Sequence, residues 1–186
     1  MQQIPNPTDR RVLRTRQMLR AALIGLIAER NWDDIGVQDI CDRANVGRST
    51  FYTHFGDKEE LLVSGFDDLR VMLLSLRPPM RPKNVALTFT APLLHHADEN
   101  RMLFRALVGK RSGLVVQRHF RKLVVDLTVL ELADTTVGEP TFVVRYIAGA
   151  FFELVSAWLD AHQPQPPSEI DAVFQQLTLR VLATSR

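Results

Sequence analysis

The sequence predicts an all-α protein of about nine helices. Three observations carry that expectation. Apolar residues recur every three or four positions along most of the 186-residue chain, the spacing that gives a helix one apolar face. No segment alternates apolar and polar residues over a strand's length. The run Arg77-Pro78-Pro79-Met80-Arg81-Pro82 cannot lie inside a helix, because proline lacks an amide donor and clashes with the preceding turn. It separates four predicted helices from five.

Residues 1–7 read as a short tail. The first helix starts near Thr8, a good N-cap, with Asp9 suited to the positive helix N-terminus, and runs to about Arg30. Leu19, Ala22, Leu23, Leu26 and Ile27 form its apolar stripe. Asn31-Trp32-Asp33-Asp34 breaks the pattern. A short helix follows from Val37 to Ala44, with Ile40, Cys41 and Ala44 inward. Asn45 suits the left-handed conformation that ends a helix. A second short helix runs from Arg48 to about Phe55. Asp57 and Glu60 make a capping-box-like pair that opens the fourth helix, which reaches about Leu76.

Beyond the prolines the pattern gives a helix over Asn84–Ala97, kinked at Pro92, then one over Glu99–Val108 stopped by Gly109. A long helix covers about Ser112–Ala133, and Thr135–Pro140 is a loop. A helix over Thr141–His162 ends before Pro164-Gln165-Pro166-Pro167. Ser168, with Asp171 three residues on, reads as the N-cap of a last helix that ends near Ala183.

Composition narrows the function classes. Lys and Arg number 23 against 21 Asp and Glu, a formal charge of +2, which argues against binding nucleic acid by bulk charge alone. The single cysteine, Cys41, excludes a disulfide framework and a multi-thiolate metal site. It sits on an apolar helix side, as a buried structural thiol would. His95, His96 and Asp98 do not make a metal site, since consecutive helical residues point about 100° apart. No phosphate loop, nucleophile elbow or other catalytic constellation is present, so neither an enzyme nor a cofactor is expected. No apolar run is long enough to suggest a membrane span, and the start of the chain has no signal core, so the expected location is the cytoplasm.

The informative stretch is Ile35 to Leu62. Two short amphipathic helices joined by about three residues have the geometry of a helix-turn-helix, whose second helix enters the major groove of DNA. On that second helix Phe51 and Phe55, four apart, pin one side to the core. Arg48, Ser49, Thr50, Tyr52, Thr53 and His54 remain for the outer surfaces, with side chains suited to base edges and phosphates. No acid lies between Arg43 and Gly56.

Residues 10–65 resemble the DNA-binding signature of the TetR family of bacterial transcriptional regulators. The resemblance rests on the helix-turn-helix, the Tyr52-x-x-Phe55 spacing and the pattern Phe55-x-x-Lys58-Glu59-x-Leu61. It implies that Tyr52 and Lys58 contact phosphate, that Gln38 contacts backbone or base, and that Arg48, Ser49, Thr50, Thr53 and His54 face the groove. Two positions depart from the family pattern: Gly36 and Gly47 stand where hydroxyl residues are usual. Glycine serves as an N-cap at a cost of only about a few tenths of a kcal/mol relative to serine, so the fold is unaffected and only hydroxyl contacts to phosphate are lost.

Six arginines against one glutamate lie over residues 10–30. Arg10, Arg11 and Arg14 are the ones expected beside DNA, because the helix-turn-helix stacks on this helix. A second basic run, residues 101–122, holds seven cations and no acid. It reads either as a solvated surface or as a few arginines that attract an anion or line a subunit contact.

The last two helices are apolar on more than one face, which suits a four-helix interface between two subunits, as in the resembling family. Ala148, Gly149, Phe151, Val155, Ile170, Phe174, Leu177 and Val181 are the interface candidates. Phe89, Leu93, Phe104, Phe120, Phe151, Phe152 and Trp158 are the candidate lining of an effector pocket. The expected organisation is a helix-turn-helix domain over residues 1–55, a connecting helix over 56–76, a proline-rich linker over 77–82, and a dimerisation and ligand-binding domain over 83–186. The expected protein is a homodimeric regulator, a repressor released by a small-molecule effector, that reads a pseudo-palindrome in double-stranded DNA. The alternative is a helical small-molecule-binding protein or enzyme with a vestigial helix-turn-helix.

Overall fold

The stripe on the first helix is buried as its spacing requires: Leu19, Leu23, Leu26 and Ile27 are all at most 2% exposed. This follows from a computed structural model, which describes residues 7–108, 113–133 and 140–184. Among these residues there are nine α-helices. They are α1 (Pro7–Glu29), α2 (Val37–Ala44), α3 (Arg48–His54), α4 (Lys58–Ser75), α5 (Thr90–Glu99), α6 (Arg101–Val108), α7 (Gly113–Leu132), α8 (Pro140–Asp160) and α9 (Pro167–Thr184). A single 3-10 turn, Trp32–Asp34, follows α1. The expected all-α fold is therefore observed. The expected stop at Gly109, the cations Lys110 and Arg111, and most of the loop expected at 135–140 lie outside the described residues.

Helix α1 packs on α2, α4 and α6, and α2 on α3. Helix α4 lies against α7, α7 against α8, and α9 against α5 and α8. One continuous apolar cluster runs through both ends of the chain. Aromatic rings link its helices: Phe120 of α7 lies 6.2 Å from Phe66 of α4, 6.0 Å from Phe104 of α6 and 5.9 Å from Phe152 of α8.

Several helix starts differ from the sequence reading, α5 and α9 with an evident cause. Helix α5 begins at Thr90 rather than Asn84. Residues 86–88 are held outside any helix by distant side chains. The Gln175 side-chain carbonyl on α9 accepts from the Ala86 and Leu87 amides at 2.8 and 3.2 Å, and its amide donates to the Leu87 carbonyl at 2.6 Å. Thr88 donates its hydroxyl to Glu131 of α7 at 2.6 Å, and Arg81 donates to the Ala86 and Glu131 carbonyls. Pro92 then falls in the first turn, where its missing amide would be unpaired anyway, so no kink is needed. Helix α9 starts at Pro167, which makes Ser168 an interior residue and not the N-cap. Asp171 accepts instead from the Thr90 hydroxyl across the core. Helix α1 starts one residue before Thr8.

The burial of α8 and α9 bears on two expectations. Helix α8 is, over Phe142–Asp160, long and apolar enough by length and composition to cross a membrane, where none was expected. Its inner face is core: Val144, Ile147, Phe151 and Leu159 are at most 3% exposed. The interface candidates Ala148, Phe151, Val155, Ile170 and Phe174 are likewise buried within one chain, with Phe151 stacked edge-on to Phe174 at 4.9 Å and to Phe89 at 5.8 Å. A side chain already covered by its own chain cannot present itself to a second. What α8 and α9 leave exposed is Phe142, Tyr146, Val173 and Leu177, at 73%, 62%, 51% and 53%. Gly149 lies between them with open space around its missing Cβ.

Candidate nucleic-acid interface

The turn between α2 and α3 forms because Asn45 takes the left-handed conformation, φ 53° and ψ 49°. It is the sole non-glycine residue with positive φ among the described residues. Asparagine enters this region more readily than most residues. Val46 then donates back to the Cys41 carbonyl at 3.0 Å and closes the helix end. Helix α2 opens at Gly36, whose amide donates to the Asp39 carboxylate at 2.8 Å. That bond, with Arg30 behind it, holds the Asp39 carboxyl below its ordinary range. Cys41 is 1% exposed, and burial pushes its thiol up, aided by the charge of Asp42.

Helix α3 is pinned from beneath. Phe51 and Phe55 are 0% and 2% exposed, and their rings lie 6.0 Å apart. Arg16 of α1 sits over the Phe55 ring at 4.7 Å, a cation–π contact the sequence did not suggest. The outer side carries Arg48, Ser49, Tyr52 and Thr53, all exposed, with Thr50 and His54 half-buried beside them. Arg48 lies 5.9 Å from the Tyr52 ring and its guanidinium donates to the Tyr52 hydroxyl at 3.4 Å. Two residues that could contact DNA thus steady each other one helical turn apart. Arg10, Arg11 and Arg14 are exposed on the first half of α1. Gln38 is exposed at the start of α2, but its amide donates to Asp42 at 2.7 Å.

Lys58, which the resemblance assigns to a phosphate, has protein partners of its own. Its ammonium donates to the carbonyls of Trp32 and Ile35, both at 2.7 Å, and lies 4.6 Å from the Trp32 ring. Two of its three donors are thereby spent on the segment that enters α2. Its first role is to clamp the helix-turn-helix to the start of α4. The clamp joins residues 26 positions apart, and only the neighbouring caps were legible beforehand: Asp57 accepts from the Glu60 amide at 2.8 Å, and Glu60 accepts from the Gly56 amide at 2.6 Å.

The basic run over 101–122 is not a bare cationic patch. Arg101 pairs with Asp98, Arg105 with Asp160, Arg118 with Glu59, Arg121 with Glu153, and Lys122 with Asp126, at 2.6 to 3.6 Å. Arg101 also donates to the Leu159 carbonyl at 3.1 Å and lies 4.8 Å from the Trp158 ring at the end of α8. The sequence could not show these partners, because most lie dozens of residues away.

The effector-pocket candidates are all buried. Phe89, Leu93, Phe104, Phe120, Phe151, Phe152 and Trp158 are all at most 4% exposed. Of these, only Phe104 borders the apolar cavity of about 120 Å³ that lies between α1, α4, α5 and α6.

A surface of this kind, two helices joined by a left-handed turn with the second presenting only neutral and cationic side chains, suits the major groove of DNA. Comparison with known proteins agrees. Residues 19–64 match the bacterial regulatory proteins of the tetR family, and residues 86–180 match a transcriptional regulator C-terminal region. The chain belongs to the TetR family. It is a DNA-binding transcriptional regulator. An uncharacterized HTH-type transcriptional regulator of Bacillus subtilis, YxbF, is 46% identical over 55 residues. That stretch is 29% of this chain and only 14% of YxbF. A TetR regulator from Streptococcus agalactiae superposes with a TM-score of 0.70 at 23% identity, covering 92% of this chain and 97% of that one. A TetR-family regulator from Streptomyces coelicolor superposes with a TM-score of 0.66 at 22% identity, covering 92% and 81%. These likenesses show that the TetR-family fold extends through the C-terminal helices.

Proposed function

We propose that this TetR-family regulator works as a homodimeric repressor that reads a pseudo-palindromic operator and is released by a small-molecule effector. The observation that carries the DNA half is the outer face of α3, where Arg48, Ser49, Tyr52 and Thr53 stand exposed over the buried Phe51 and Phe55. Arg48 is the base reader, since arginine fits guanine O6 and N7. Tyr52, Thr53 and the arginines of α1 position the protein on phosphates.

The dimer half rests on the uncovered apolar face of α8 and α9. Phe142, Tyr146, Val173 and Leu177 are more than half exposed, and Gly149 leaves room for a close approach. A contiguous apolar face of this kind on a DNA-binding protein fits a second copy of the chain. Two α3 helices in such a dimer meet successive major grooves about 34 Å apart. Residues 1–55 then read DNA, while residues 83–186 dimerise and contribute to the effector site.

Fluorescence anisotropy against the chain's own upstream DNA, across a salt series, tests this reading. Tight binding to one palindromic segment, with a steep fall in affinity as salt rises, is the expected result. Equal affinity for unrelated duplexes would refute it.

A further inference from the structure

The apolar cavity of about 120 Å³ lies where the two halves of the chain meet. Leu23 and Ile27 of α1 and Gly65 and Phe66 of α4 form one side; His96 of α5 and Phe104 of α6 form the other. We infer that this cavity is a binding site for an uncharged compound of one aromatic ring with a single hydrogen-bond acceptor. The regulatory part of the inference rests on the effector-released reading above.

Four observations lead there. The first is Gly65. It lies in the middle of α4, where glycine weakens a helix relative to alanine. No neighbouring backbone requires it, since an added Cβ would meet nothing within 4 Å. What the missing side chain leaves is space on the cavity wall. The second is size and lining. A closed cavity of about 150 Å³ walled by leucine, isoleucine and phenylalanine takes one benzene ring; this one, about 120 Å³, open to one side and walled mostly by the same residues, is sized for a single ring reaching its mouth.

The third observation is charge. Arg20 is the cation at the cavity, and its guanidinium already donates to the Ser64 hydroxyl at 3.0 Å and pairs with Asp68. An anion bound here would lose its hydration without gaining an unbalanced positive charge, since Arg20 is already paired with Asp68. The fourth is His96, whose ring stands edge-on to Phe104 at 5.6 Å. The Asn100 amide donates to the His96 carbonyl at 2.9 Å and lies 3.4 Å from Nδ1. Nδ1 is then the acceptor and Nε2 carries the hydrogen, which makes His96 a donor to a ligand oxygen. Because α1 and α4 carry the helix-turn-helix while α5 and α6 belong to the other half, a ligand held between them shifts the population of DNA-binding orientations.

Calorimetric titration of the full chain with phenol, toluene and benzoate tests the site. Phenol should bind, toluene roughly fivefold more weakly for want of the hydrogen bond, and benzoate not at all. Gly65→Leu should melt no lower than wild type and lose phenol binding. His96→Leu should bind phenol and toluene equally. Absence of phenol binding, tightest binding by benzoate, or phenol binding unaffected by Gly65→Leu each overturns the site. With phenol saturating, affinity for the upstream DNA should fall by about tenfold. Phenol binding that leaves DNA affinity unchanged overturns the regulatory part alone. Failure of the unliganded protein to bind that DNA refutes the regulator reading separately.

Discussion

His119 of α7 meets Glu59 in the first turn of α4, with Nε2 2.7 Å from Oε1, and Arg118 reaches the same oxygen at 3.0 Å. The residue before Glu59 is the clamp Lys58. One turn of α4 is thereby tied to the helix-turn-helix on one side and to the C-terminal helices on the other. The hydrogen bond from His119, with the charges of His119 and Arg118, holds the Glu59 carboxyl below its ordinary 4.5. A carboxyl whose folded value is depressed adds stability that is complete above its unfolded value and is lost as pH falls through the folded one. Urea unfolding of wild type and Glu59→Gln from about pH 7 down to about pH 3 should show the wild type's advantage vanish at the acid end. An advantage that persists unchanged at the acid end would be the wrong result.

Lys58→Met should destabilise the protein by about 1–3 kcal/mol, because the Trp32 and Ile35 carbonyls lose a charged donor. The slope of DNA affinity against salt should change by less than the one unit expected for a lost phosphate contact. Denaturant melts and a salt titration separate the two effects. A stable variant with a slope reduced by a full unit would return Lys58 to the phosphate role.

Arg48→Ala should weaken binding to the operator by about 1–3 kcal/mol and relax preference at one base pair. Tyr52→Phe removes the hydroxyl that Arg48 reaches at 3.4 Å and should weaken binding similarly across sequences. Anisotropy against a panel of single-base operator variants distinguishes a base reader from a phosphate contact.

Substitutions on α8 and α9 should divide by which face they touch. Tyr146→Glu or Leu177→Glu, on the uncovered face, should shift sedimentation from dimer to monomer while the monomer keeps its helicity. Phe151→Ala, in the core, should cost about 3–5 kcal/mol whatever the oligomeric state. Unchanged sedimentation of both glutamate variants would exclude this face as the interface.

The sequence carried the helices well where local signals are strong. The stripe of α1, the caps Asp57 and Glu60, and the αL residue Asn45 all act within a few positions of themselves. The start of α5 differs because Gln175 and Glu131, dozens of residues away, hold 86–88 out of the helix against a helical pattern. Among the interface candidates, Ala148, Phe151, Val155, Ile170 and Phe174 are buried by their own chain, while Gly149 and Leu177 lie on the open side, and the reason is different. Apolar positions around most of α8 suit cover on two sides, but do not say which side its own chain covers. Lys58 was read through a resemblance, and its carbonyl partners lie too far along the chain to announce themselves. The acids that neutralise Arg105, Arg118 and Arg121 were hidden in the same way.

The ring contact between Phe66 of α4 and Phe120 of α7 bears on how the molecule can be dissected. Leu61, Phe66 and Leu73 of α4 are buried in one apolar cluster shared with the C-terminal helices. A fragment cut at Pro78 would carry those side chains into water, so the helix-turn-helix cannot be excised and grafted as a free-standing module. Any chimera that borrows its DNA specificity must take α4 together with a partner helix shaped to cover it.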